Sequence, residues 1–309
     1  MDLTTRELLD VGLDALEADA RSVPPALRAR VLGASVGRIR PSMHPAWADA
    51  GPAGISAHAA FVKTAAELAT MLDTLTPREW SAPTAVEGAS VRELVTHLVG
   101  VERYVLGQLG RGPVFSAPRR EDHFPVSQIV AADMAGATDE TISSMWWHEV
   151  SRLIAVCSEL DPQHEVAYHH LGGTVRGMLV VRTFELWTHD DDIRRAVNRP
   201  AHPLDGERLR LMSSELMSVL NLGMLLSDTT QPGRSARFNL MGTGGGSYDV
   251  PLAPGEIAGA ADITITTTAL DICRLASNRL PADLIDLAVD GDRSLLEPIL
   301  VGAGAFACD

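Results

Sequence analysis

The stretch VVRTFELWTHDDDI, residues 180–193, lies in a long amphipathic run from Val175 to Asn198 that ends before Pro200. Read as a helix, it sets Glu185 and His189 four residues apart and so one above the other on a single face, where a carboxylate and an imidazole can converge on one ion. That is a two-ligand clip. An exposed Glu–His pair at this spacing serves equally well as a plain surface hydrogen bond, and only a third ligand from another helix separates the two readings. The same stripe carries Arg182 three residues before Glu185 and Asp192 three after His189. Arg182 suits a substrate carboxylate or phosphate, and Asp192 suits acceptance from a ligand imidazole; each also fits an ordinary salt bridge.

Working outward, the neighbouring segments read as helices too. A run from Ser56 to Leu75 keeps Phe61, Leu68, Leu72 and Leu75 on one face and stops at Thr76-Pro77. Ser90-Val91-Arg92-Glu93 is a capping box opening a helix that carries Val91, Leu94, Val95, Leu98, Val101, Val105 and Leu109. Helical patterning returns over 128–134, 138–160 and 204–227, with loops expected over 112–126 and 161–174. Long helices with almost no alternating pattern before residue 230 predict an antiparallel bundle.

Beyond Pro232-Gly233 the period changes. Strands are expected at 235–241 and 247–252 around the glycine run 242–246, then at 262–267 and 284–289, with helices at 269–276 and 294–303. The glycine run lacks the Lys-Ser/Thr ending of a phosphate loop and reads as a hairpin turn. The domains expected are thus an N-terminal helical extension and linker over 1–54, a helical bundle over 55–230 and a small α+β domain over 233–309.

The chain has 309 residues, 46% hydrophobic and 21% charged, which suits two folded domains. With 26 Lys+Arg against 40 Asp+Glu, the formal charge of -14 argues against nucleic acid as a partner. Three scattered cysteines, Cys157, Cys273 and Cys308, fit a reducing cytoplasm. The polar N-terminus lacks a signal-peptide pattern, and apolar stretches such as 177–181 are far shorter than a bilayer, so no membrane insertion is expected. The extension reads as a helical arm packed on the main domain or on a second subunit of a homodimer, or as a segment recruiting another protein.

The candidate third ligand is His97, set between apolar neighbours on the capped helix; a satisfied core histidine is the competing reading. Two imidazoles and a carboxylate would leave coordination positions for water or substrate, the pattern of catalytic metal sites. Tyr104, seven residues after His97, lines a pocket or simply packs. Asp190, Asp191 and Asp192 ahead of Arg194 and Arg195 read as a solvated helix end with intrahelical pairing. His164, His169 and His170 read as an ion-free loop, His123 as an exposed loop residue, Trp146-Trp147 as core and interface, and Cys273 as a buried small hydrophobe.

Trp80-Ser81-Ala82-Pro83, the helix opening Ser90 to Leu98 and the run Arg182 to Arg194 together resemble the mycothiol-dependent maleylpyruvate isomerases, within the DinB-like metal-binding four-helix bundles. The tail is similar to that family's C-terminal α+β domain in residues 261–264, 270–279 and 289–293. The resemblance implies a DinB-like antiparallel four-helix bundle followed by a small α+β domain. It also implies His97, Glu185 and His189 as ligands of a divalent metal, zinc foremost, although iron or nickel suits the same donors. A low-molecular-weight thiol such as mycothiol is the implied cofactor, held at the metal as thiolate. The expected function is a metal-dependent isomerase or thiol transferase acting on a small electrophilic metabolite, with Arg182 and Asp192 assisting. The alternative is a non-catalytic regulatory protein that keeps the bundle and contacts a partner through its N-terminal arm. An apolar ligand held by the α+β tail ranks below both.

Overall fold

The computed structural model describes residues 43–86, 88–112, 124–168 and 171–306. The expected N-terminal helices, most of the loop before Val126 with His123, the pair His169-His170 and Cys308 lie outside the described residues. The chain forms two compact units. One holds Ala65–Val175 with the described residues up to Pro45, and the other holds Ala46–Thr64 with the described residues from Arg176 on.

The helices are α1 (Ala57–Leu72), α2 (Pro77–Trp80), α3 (Val91–Gln108), α4 (Phe124–Asp133) and α5 (Asp139–Glu159), then a β1–β2 hairpin (Glu165–Tyr168 and Leu171–Thr174), α6 (Val175–Ala196) and α7 (Gly206–Leu226). β3 (Ser235–Met241), β4 (Gly246–Pro251), β5 (Ile263–Thr268), α8 (Ala269–Ala276), β6 (Ala288–Gly291) and α9 (Leu296–Gly304) complete the chain. A helical portion followed by a small α+β portion is the fold class expected from the sequence.

In the first unit, α3 is the centre. Ser90 accepts from the Glu93 amide while Glu93 accepts from the Ser90 amide at 2.7 Å, so the capping box forms as read. Val91, Leu94, Val95, Leu98, Val101 and Val105 are all buried. α4 and α5 both pack on α3. Gly100 is what lets α4 approach: a Cβ there would stand 2.5 Å from the Ser127 Cα. Opposite, Arg103 and Arg152 donate to the two oxygens of the buried Glu149 on α5, at 2.8 and 2.9 Å.

Three local expectations are corrected here. Thr76-Pro77-Arg78-Glu79 does not simply end a helix; it is itself a capping box with Pro at the first turn, and it opens α2. α4 starts at Phe124 instead of near 128, a proline in the first helical turn being harmless because its missing N–H would have no partner in the helix. The segment 161–174 is not all loop. Glu165–Tyr168 pairs antiparallel with Leu171–Thr174, burying Val166.

In the second unit, the residues before α1 hold two short 3-10 turns, Pro45–Ala48 and Gly51–Ala53, where a plain linker was expected. Trp47 is buried with its ring 5.6 Å from that of His58. The four strands lie in the order β4-β3-β5-β6, with β3 antiparallel to β4 and parallel to β5, and β5 antiparallel to β6. Alternation decides the buried face: Ala236, Phe238 and Leu240 of β3 stand beside Ile263, Ile265 and Thr267 of β5, and all six are buried. α8 and α9 pack on α7, which also touches β4. The last strand runs Ala288–Gly291, not 284–289: Leu284 is exposed and makes no ladder, while Gly291 pairs with Ile263.

α7 is 21 residues long and, by length and composition alone, apolar enough to cross a membrane, longer than the short apolar stretches expected from the sequence. Half of its apolar window is buried within the protein, and Leu209, Met212, Leu216, Leu220 and Met224 are core side chains.

Candidate metal centre

α6 is apolar where it must pack and polar along one stripe. Val175, Leu179, Val180, Leu186 and Ile193 are fully buried. The stripe Arg182, Glu185, His189, Asp192 steps by three, four and three residues, close to the helical repeat, and its first and last pairs are in hydrogen-bond contact. Arg182 is wholly buried, and its Nη1 donates to Glu185 Oε2. Asp192, 1% exposed, lies with Oδ2 3.2 Å from His189 Nδ1.

Asp192 has a second partner. Burial raises its carboxyl pKa, but hydrogen bonds and charge from His189 and Arg279 outweigh burial and hold it below the usual carboxylate range. The carboxylate is therefore anionic, and an anionic acceptor at Nδ1 favours the imidazole tautomer that keeps a lone pair on Nε2.

His97 lies on α3, part-exposed, with its backbone carbonyl accepting from Ser127 Oγ of α4 at 3.4 Å. Among the described residues, His97, Glu185 and His189 form one group that could hold a metal ion, with one ligand atom from each lying within 4.8 Å of the others. The donors suit a borderline divalent cation: two nitrogens, one carboxylate oxygen, and fewer protein ligands than a closed structural site uses.

The aspartate run departs from the sequence reading. Asp190 and Asp191, like Asp192, are buried, so this is not a solvated helix end. The intrahelical pairing does form, Arg194 Nε to Asp190 at 2.7 Å and Arg195 Nη2 to Asp191 at 2.5 Å. Tyr104 is buried; His164 is exposed, its amide on the Asp161 carbonyl. Trp146 is fully buried and meets Trp147 edge-on at 6.2 Å. Cys273 is fully buried and its thiol pKa is pushed up by that burial; Cys157 is pushed up in the same way, with the Glu102 charge adding to the effect.

Arg279, which grips Asp192 from 87 residues away, is a residue that no sequence motif singles out. Its signal was thin: a helix ending in Ala276-Ser277, then Asn278, a residue type that tolerates the left-handed turn, then an arginine.

Residues 61–194 match the sequence model of the family described as mycothiol maleylpyruvate isomerase N-terminal domain. The likeness to that family spans this segment. All of the polar stripe of α6 up to Asp192, together with His97, falls inside the matched segment. Two solved structures are similar in fold: the mycothiol-dependent maleylpyruvate isomerase, at 17% identity, and a histidine-to-alanine mutant of such an enzyme, at 16%. In each case the TM-score is 0.51, and the match covers 75% of this chain and 91% of the other. At these identities the likeness speaks for the fold. No curated protein sequence matches the chain.

Proposed function

We propose that the protein is a divalent-metal enzyme which uses a low-molecular-weight thiol to isomerise, or transfer that thiol onto, a small electrophilic acid. His97, Glu185 and His189 are the ligands, with residues 55–230 as the metal-binding domain and 233–309 as its companion. The observation that carries this reading is the donor set, two imidazoles and a carboxylate whose ligand atoms lie within 4.8 Å of one another, all three inside the segment that matches the isomerase-family model.

The chain's own groups prepare the site. Asp192 accepts at His189 Nδ1, which turns Nε2 outward as a donor and fixes the plane of the ring. Arg182 holds Glu185 Oε2, so the carboxylate keeps one orientation and presents Oε1. A bound zinc, iron or nickel ion would lower the pKa of a thiol and hold it as thiolate, the form that adds to an activated double bond at neutral pH. The family name on the domain, and that of the similar solved enzyme, make mycothiol the first thiol to try and maleylpyruvate the first substrate.

Elemental analysis of the purified full chain is expected to give near-stoichiometric divalent metal. His189→Ala is expected to lose it while keeping its helicity. Thiol-dependent turnover of a panel of unsaturated acids should disappear on chelation. Intact metal content in the variant would overturn the ligand assignment, and chelator-insensitive turnover would overturn the proposed role of the metal.

A further inference from the structure

The strongest unassigned arrangement is in the α+β portion. α8 ends at Ala276, and Asn278 takes φ 55°, in the left-handed region. The Arg279 amide then donates back to the Arg274 carbonyl at 2.8 Å, closing the turn. That turn aims the Arg279 side chain at Asp192, 87 residues earlier in the chain. Nε donates to Oδ1 at 2.9 Å and Nη2 to Oδ2 at 2.8 Å, a two-pronged grip on one carboxylate. Nη1 donates to the Ser277 carbonyl at 2.9 Å, so the guanidinium is itself anchored.

A carboxylate one helical turn from a histidine can swing about two bonds, and such a brace orients the ring only loosely. The fork removes this freedom: both oxygens of Asp192 are engaged, at 1% exposure, and Oδ2 is left facing His189 Nδ1.

We infer that Arg279 is a positioning residue of the metal centre: by gripping Asp192 it holds the His189 imidazole in the orientation and tautomer that offer Nε2 to the cation. This inference rests on the reading of His189 as a ligand. It gives the C-terminal portion a task in metal retention that none of the three ligands, all earlier in the chain, supplies.

The test is zinc affinity by chelator competition on the full-length protein, with circular dichroism as the control for folding. Arg279→Met is expected to weaken zinc binding by about 10- to 100-fold, the usual cost of losing an outer partner of a ligand. Arg279→Lys, which keeps the charge but not the fork, is expected to fall between Met and wild type, and it carries the test should Met impair folding. Because Arg279 acts through Asp192, the double variant Asp192→Asn/Arg279→Met should bind zinc no more weakly than Asp192→Asn alone. A general loss of structure would instead give losses that multiply. Wild-type affinity in both Arg279 variants, or multiplying losses, overturns the inference while leaving the ligand assignment standing if His189→Ala still loses zinc. A wild-type protein that binds no zinc, iron or nickel overturns both.

Discussion

Gly223 of α7 and Gly302 of α9 meet backbone to backbone. A Cβ on Gly223 would stand 2.2 Å from the Gly302 carbonyl oxygen, and one on Gly302 would stand 2.9 Å from the Met224 amide nitrogen. Met224 Cγ would stand closer still to that second position, at 2.3 Å, but the backbone atoms cannot swing aside as a side chain can, so the helices must separate to admit a methyl group. Gly223→Ala is therefore expected to destabilise the fold by about 1–3 kcal/mol. Gly304→Ala, with nothing within 4 Å, should stay within about 0.5 kcal/mol of wild type. Urea denaturation of both variants checks the contrast, and equal midpoints would show that the crossing is looser than described.

Arg182 is the one fully buried cation on the ligand stripe among the described residues, and it is ion-paired to Glu185. Replacing it with Met removes the carboxylate's charge partner while roughly conserving volume. A loss of about 3 kcal/mol is expected, as for breaking other buried pairs. Thermal unfolding in the presence of chelator measures this; an unchanged midpoint would mean that the pair is energetically idle.

Asp205 caps α7, accepting from the Arg208 amide, and also takes Lys63 and the Arg208 side chain. Burial raises its carboxyl pKa, but the amide, the Lys63 ammonium and the Arg208 guanidinium outweigh burial and depress it far below the usual range. Since the folded value lies below the unfolded one, the contribution is fully present above about pH 4 and is lost as the pH falls through the folded value. Asp205→Ala is expected to cost about 1 kcal/mol at neutral pH through the lost cap alone. Its stability should also decline less steeply than wild type's between about pH 4 and pH 2. Parallel acid titrations of the two proteins would contradict this assignment.

Cys157 and Cys273 are both fully buried, with thiol pKa values pushed up by that burial. With Cys308 replaced by Ser, the native protein should react negligibly with a thiol reagent at pH 8 and should release two equivalents on denaturation. Rapid labelling in the native state would show that one of these sites opens.

Where fold and site were legible, local chemistry and tertiary structure agreed. Ser90 and Glu93 are three residues apart and cap each other in the structure, and Val91, Leu94, Val95, Leu98, Val101 and Val105 of α3 are buried as their spacing required. Thr76 and Glu79 bear the same signature, but one turn of helix gives no periodicity to support it. The β1–β2 hairpin hid because its strands have four residues each and the second is Leu-Gly-Gly-Thr, with little β propensity. The burial of Asp190 to Asp192 is invisible locally, since their charges mark them as surface residues until partners are known. One of those partners, Arg279, comes from 87 residues away, a separation that no motif spans.

The sheet order β4-β3-β5-β6 also bears on how the C-terminal portion is made. The earliest of its strands to leave the ribosome takes an interior place, the next lies against one flank, the third against the other, and the last beyond the third. Each newcomer joins an open margin, so synthesis never has to pry apart a ladder already zipped, and the growing polypeptide can settle by accretion from its own first segment outward.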